Sequence, residues 1–286
     1  MRLTASVFYL SLAALVMIGV SQSAQALVLD WSTVLWTPGT LSNSYDVDPA
    51  NPGTDITVTI GGDTNTLQTD PTTGIQTPAI TSSLEGGTSP VEPSLQVAAR
   101  FVPPRKLTFT IDFSGLYAQG VTSVSFTIFN IDGTSGTETI RSITADGIDG
   151  TTTYAATITN LGSAVQLNGA GLGQSLKGIA SVPMSGAGSG DGNATISFGL
   201  DAIQSVTFTF ADTPGSVGLL MIALSNISFT PIPEIDPTWC SAALCAMAVA
   251  TLHLLRRRAP QASPPETSPV RHGPSYSTSD DEQRDR

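Results

Sequence analysis

Val124-Ser125-Phe126-Thr127-Ile128-Phe129-Asn130-Ile131 alternates large apolar with small polar side chains and runs into Asp132-Gly133. Successive side chains of a strand point to opposite faces, so a period of two means one dry face and one wet face. Asp-Gly is a strong turn signal at the end of such a run. The stretch therefore predicts a half-buried β-strand entering a hairpin. Just upstream, Leu107-Thr108-Phe109-Thr110-Ile111-Asp112-Phe113 repeats the pattern, and Asp55-Ile56-Thr57-Val58-Thr59-Ile60 gives it again, closed by Gly61-Gly62.

Downstream, further strands are expected at Glu138–Ala145, Thr152–Thr159, Ala194–Phe198, Val206–Phe210 and Leu219–Phe229. Short strands set apart by Gly, Pro, Asp and Asn, without a capped helical period between them, predict an all-β fold. The expected form is an antiparallel β-sandwich, jelly-roll-like, over residues 27–232. Within it, residues 63–93 are rich in Thr, Gly, Pro and Ser and read as a long loop region carrying short extra strands or a flap. Leu27-Val28-Leu29-Asp30-Trp31-Ser32-Thr33-Val34-Leu35-Trp36 reads as a strand anchored by its two tryptophans. Unbroken, it would put them on opposite faces.

Both ends of the chain differ from this middle. Met1–Ala26 has Arg2, an apolar core at Val7–Val20 and Ala24-Gln25-Ala26 before Leu27, the pattern of a cleavable signal peptide and its helix. Trp239–Leu255 is apolar for 17 residues and is followed by Arg256, Arg257 and Arg258. It is expected to form one C-terminal transmembrane helix, with the arginines as a membrane stop held on the cytoplasmic side. Ala259–Arg286 is Pro/Ser-rich with mixed charge and is expected to be a disordered cytoplasmic tail.

Between Leu27 and Ile232 there are 16 acidic side chains against five basic ones (Arg100, Arg105, Lys106, Arg141, Lys177), a balance of −11. Phosphate neutralisation needs a basic footprint, so no nucleic-acid partner is expected. The same region holds no Cys and no His: Cys240, Cys245 and His253 lie in the apolar C-terminal run, and His272 follows it. Thiol nucleophiles, serine–histidine triads and ordinary zinc sites are thereby excluded from it. Glycosidases need only two carboxylates, but Glu85, Glu92 and Glu138 lie in no aromatic-rich strand context, and no enzyme is expected.

One loop gathers oxygen ligands: Asp46, Asp48, Asn51 and Asp55, with Gly53 between them. Alternate carboxylates in a loop suit calcium, which takes about 6–8 oxygen ligands. The other reading is an Asx/Pro turn whose side chains bond their own backbone. Asp132, Asp146 and Asp149 read as hairpin-turn residues, with a second ion site as the alternative. Gly169–Gly173 and Gly188–Asn193 read as flexible loops. For a sugar platform the aromatic supply is Trp31, Trp36, Tyr45, Tyr117 and Tyr154, so binding to extracellular polysaccharide is one expectation without a named site.

The run Pro233-Glu234-Ile235-Asp236-Pro237, then the apolar segment, then three arginines, resembles the PEP-CTERM sorting signal of Gram-negative bacteria in its P-E-I-D-P form, with Ile235 where the commoner signature has Pro. The resemblance covers residues 233–258. It implies that Pro233 and Glu234 are recognised by an exosortase-like membrane transpeptidase. The protein would be exported, held at least transiently at the inner membrane, and delivered to the cell surface or extracellular matrix as a non-enzymatic component. The strand pattern is similar to the jelly-roll ectodomains that precede such signals, themselves similar to carbohydrate-binding modules. That leaves a displayed lectin-like module, or a permanently anchored single-pass protein, as alternatives.

Overall fold

A computed structural model describes residues 25–84, 86–88, 90–102, 104–133, 138–182, 190–213, 218–233, 248–249 and 251–252. Sixteen strands are present among them. In chain order they are β1 (Leu27–Leu29), β2 (Ser42–Tyr45), β3 (Ile56–Gly62), β4 (Ala79–Thr81), β5 (Ser94–Ala99), β6 (Lys106–Asp112), β7 (Val121–Phe129) and β8 (Glu138–Gly147). There follow β9 (Thr153–Ala155), β10 (Thr157–Thr159), β11 (Val165–Asn168), β12 (Ser175–Gly178), β13 (Ala194–Ser197), β14 (Ile203–Asp212), β15 (Leu220–Leu224) and β16 (Ile227–Pro231).

Every pairing is antiparallel. One layer runs β2-β3-β6-β14-β8-β12-β11, with β9 on β8. The other is built on β7, which takes β13 and then β10 on one side, and β16 with β1, and β15 with β5 and β4, on the other. Ile203 opposite Val121 joins the layers, so the sheet curls over on itself as a jelly-roll-like sandwich. The period-two sequences explain the layers. On β3 and β6, Ile56, Val58, Ile60, Leu107, Phe109 and Ile111 are buried while the Thr residues between them face out. Phe208 of β14 stacks on Phe109 at 4.6 Å in its own layer and meets Phe126 of the facing layer at 5.9 Å. Each such ring, fully buried, contributes about 1.5–3 kcal/mol.

Several expectations are corrected by these strands. The C-terminal transmembrane helix is not upheld: among the described residues no helix is long and apolar enough to cross a membrane. Of residues 239–255 only Ala248, Val249, Thr251 and Leu252 are described; they are helical and exposed. The signal peptide up to Ala24, the stop at Arg256–Arg258 and the tail 259–286 lie outside the described residues. The strand through the tryptophans is also broken. β1 ends at Leu29, the Thr33 N–H bonds back to the Asp30 carbonyl, and Trp31 and Trp36 both turn inward, edge to face at 6.4 Å. Leu219–Phe229 is two strands folded at Ser225-Asn226, and Thr152–Thr159 is two strands interrupted at Ala156.

Thr64–Thr66 forms a 3₁₀ turn, β4 pairs with β5, and Leu67 bridges Ala99. Leu84 closes a second apolar cluster with Ala98, Phe129, Met221 and Ala223 on the outer side of β5 and β15. That cover explains why β5 and β15 are buried along their whole length, with no alternation for a sequence reader to find.

The chain divides into a unit Ser21–Glu234, which holds all the strands, and a second unit of Met1–Val20 with Ile235–Arg286.

Candidate functional site

The outward face of β7 carries the side chains that Phe126 and Ile128 do not need for the core. Thr127 stands directly opposite Thr195 of β13, their hydroxyls 3.0 Å apart. Ser225, in the turn between β15 and β16, accepts a hydrogen bond on Oγ from the Thr127 N–H at 2.8 Å. Asn226 beside it accepts from the Trp31 N–H at 3.0 Å, and Trp31 Nε1 donates to the Ser225 carbonyl at 2.8 Å. The buried tryptophan therefore clamps this turn from the core side.

Across the strand, Asn160 holds a left-handed backbone conformation (φ 50°), and its Nδ2 reaches Thr195 Oγ1 at 3.3 Å. Asn193 Nδ2 donates to the Gly86 carbonyl at 2.6 Å, tying the start of β13 to the segment after β4. Thr88, Glu92, Phe129 and Gly190 complete an open groove of about 480 Å³. Gly86 has φ 59°, and a Cβ there would run into the Phe129 ring, so glycine is required beside the groove floor.

Three amides and four hydroxyls line the groove, with one carboxylate, Glu92. Amides and hydroxyls both donate and accept hydrogen bonds, as sugar hydroxyls do. Acid–base cleavage of a glycosidic bond uses two carboxylates about 5–9.5 Å apart, and the lining supplies one. Apart from Glu92, and Gly190 and Asn193 within the stretch read as a flexible loop, none of these residues was singled out by sequence, because Thr127, Thr195, Ser225, Asn160 and Asn226 carry no motif and come from four separate segments.

The expected aromatic platform is not on the surface. Trp31, Trp36, Tyr45 and Tyr117 are buried in the main core, and Tyr154 packs against it half-exposed. Stacking on the four buried rings is unavailable to a ligand, which leaves hydrogen bonding in the groove.

The loop from Asp46 to Asp55 brings its acids together, each bonded to backbone. Asp55 Oδ2 accepts from the Val47 N–H and, at 2.7 Å, the Asp48 N–H, while Oδ1 accepts from the Tyr117 hydroxyl at 2.6 Å. Asp48 Oδ1 accepts from the Ala50 N–H at 2.9 Å and Asp46 Oδ2 from the Gly53 N–H at 3.3 Å, while the Asn51 N–H donates to the Asp48 carbonyl at 3.1 Å. This is the turn chemistry weighed against calcium. Among the described residues no group of three Asp, Glu, His or Cys side chains is placed to hold a metal ion. The neighbouring Tyr117 phenol is pushed well above the ordinary tyrosine range, first by burial and then by its bond to Asp55.

A second acidic place includes Asp132 and Glu138, both named from the sequence, and Asp212, which was not. Glu138 opens β8 and is buried. Its Oε2 accepts from the Asp132 N–H at 3.0 Å and its Oε1 from the Met221 N–H at 2.8 Å. Asp212, the last residue of β14, stands directly opposite it. Its Oδ1 accepts from the Thr213 N–H at 2.6 Å, and its buried Oδ2 has no partner. Burial, followed by the charge of Asp132, raises the Glu138 carboxyl well above the usual range despite its two N–H donors. Asp149, by contrast, is the turn residue expected: Thr151 and Thr152 donate to it and hold its carboxyl below the usual range.

Of the expected sorting residues, Pro233 is exposed two positions beyond β16, and Glu234 lies outside the described residues.

No family model and no curated protein matches this chain. Among solved structures it is similar to the family 11 carbohydrate-binding module of a cellulosomal cellulase of Clostridium thermocellum, with 10% identity, TM-score 0.31, and 75% of this chain and 99% of that one covered. The same module in complex with a β-1,3-1,4-mixed-linked tetrasaccharide gives 11% identity and TM-score 0.30, covering 75% of this chain and all of the other. The K2 cleaved adhesin domain of Lys-gingipain gives 11% identity and TM-score 0.30, covering 72% and 99%. Each is a likeness and no more.

Proposed function

We propose that this protein is a non-enzymatic carbohydrate-binding module of the cell surface or extracellular matrix, which holds a polysaccharide chain in the groove over β7 and β13. The observation that carries the reading is the lining itself, in which neutral amides and hydroxyls are fixed from behind by the core and accompanied by a single carboxylate. Recognition is by hydrogen bonds to sugar hydroxyls. Affinity electrophoresis of the full chain through gels containing soluble glucans, xylan or galactomannan tests it. Retardation in at least one gel, weakened about tenfold by Asn160→Ala with Thr195→Val, is expected, since each net hydrogen bond contributes about 1 kcal/mol. Free migration in all of the gels, or unchanged retardation of the variant, would sink it.

A second observation favours an export route for the same module. The strand-bearing unit closes at Glu234, with Pro233 exposed just after the last strand. We infer that Pro233-Glu234 is the recognition point of an exosortase-like transpeptidase, so that cleavage there releases the module whole. Intact mass spectrometry of the protein from its host, fraction by fraction, decides this. A species ending near Pro233 outside the inner membrane is expected; full-length C-termini in every fraction would refute it.

A further inference from the structure

The pair Glu138 and Asp212 sits at one end of the β8–β14 ladder, and neither residue lines the groove. Directly opposed residues of an antiparallel pair place their side chains on one face with Cβ atoms about 4.5–5.5 Å apart, and like charges there oppose each other. Both side chains are withdrawn from solvent, at 1% and 5% exposure. A buried carboxylate is costly unless it is hydrogen-bonded, paired or bound to a cation. On the β6 side of β14, Lys106 is registered opposite Ala211, and Arg105 before it, next in line with Asp212, is exposed to solvent. Lys177 of β12 is registered opposite Thr139, whose side chain leaves β8 on the other side from Glu138. Asp132, buried beside the pair, adds to the negative field. One oxygen points to a missing partner: Asp212 Oδ2 is fully buried without one, whereas the other three carboxylate oxygens of the pair each accept a backbone N–H.

We propose that the facing carboxylates of Glu138 and Asp212 seat one divalent, oxygen-preferring cation, calcium above others, which locks the ends of β8 and β14 together. The donor set is hard oxygen only, which suits calcium or magnesium and not zinc. Because these are two carboxylates and not three, the remaining ligands are main-chain carbonyls and water. The affinity belongs with the weak class of extracellular modules, at about 10⁻⁴–10⁻³ M.

The test is the melting temperature of the full chain at neutral pH, in EDTA and in about 10 mM calcium. Mass action at about 10–100 times the Kd predicts a rise of about 3–10 °C in calcium, reversed by EDTA. Asp212→Asn and Glu138→Gln are expected to melt in EDTA no lower than wild type, because the charge conflict is gone, and to show no rise with calcium. Asp46→Asn combined with Asp48→Asn is expected to keep the full rise. Identical wild-type melts in calcium and EDTA overturn the proposal, as does a rise that survives in Asp212→Asn or vanishes in the Asp46/Asp48 variant. Should Glu138→Gln fail to fold, Asp212→Asn decides alone.

Discussion

The Tyr117 hydroxyl donates to Asp55 Oδ1 at 2.6 Å, across 62 positions of sequence, and so ties the loop before β3 to the connection between β6 and β7. Asp55 is fully buried, and its other oxygen organises the turn at Val47 and Asp48. Asp55 is thereby a structural knot between the two connections.

Tyr117→Phe removes the donor and leaves a buried carboxylate oxygen short of a partner. A loss of about 1.5–3 kcal/mol is expected, the range for hydrogen bonds to charged groups. Urea denaturation with an unchanged m value would register it. A variant as stable as wild type would show that the bond contributes nothing.

Gly86→Ala forces a Cβ into the Phe129 ring from a left-handed backbone position. Overpacking of this kind costs about 1–3 kcal/mol, which for a unit of this size lowers Tm by several degrees. Because Phe129 floors the groove, polysaccharide retardation should weaken as well. Leu84→Ala, in the same cluster but outside the groove lining, should lower Tm without that change in retardation.

Asp70 gives a pH dependence with a definite sign. Burial pushes its carboxyl up, but bonds from Thr73, Thr72 and Ser83 outweigh it and leave the folded value below the usual one. A depressed folded value stabilises the native state above the unfolded value of about 3.9 and loses that contribution as pH falls through the folded value. Tm measured from pH 6 down to pH 2 should therefore fall less steeply in Asp70→Asn than in wild type. Parallel curves would show that the Asp70 bonds do not matter for acid stability.

Trp31→Phe keeps an aromatic ring in the core and deletes the Nε1 bond to the Ser225 carbonyl. Loss of the bond and of indole volume should cost about 1–3 kcal/mol. It should also loosen the turn that carries Ser225 and Asn226, so retardation falls further than for a core substitution remote from that turn, such as Ile111→Val. Equal retardation of the two variants would separate the tryptophan from the groove.

The amino-acid sequence by itself determined the class of the fold. Period-two runs such as Leu107–Phe113 and Val124–Ile131 can hide their apolar side chains only as strands with one face inward, and both are strands at nearly those bounds. It also determined Asp149 as a turn residue, because an aspartate bonds the backbone two and three positions on without help from the rest of the chain. Where burial on both faces erased the alternation, as in Ser94–Ala99, local pattern held no signal. The groove was decided by tertiary structure alone: Thr127, Thr195, Asn160, Asn193 and Ser225 meet because β7, β13 and the β15–β16 turn pack side by side. The facing of Glu138 and Asp212 was likewise set by strand register across 74 positions, and no local spacing encodes a register. Local periodicity states which face of a strand is dry; only the pairing of distant strands states which polar side chains share the wet one.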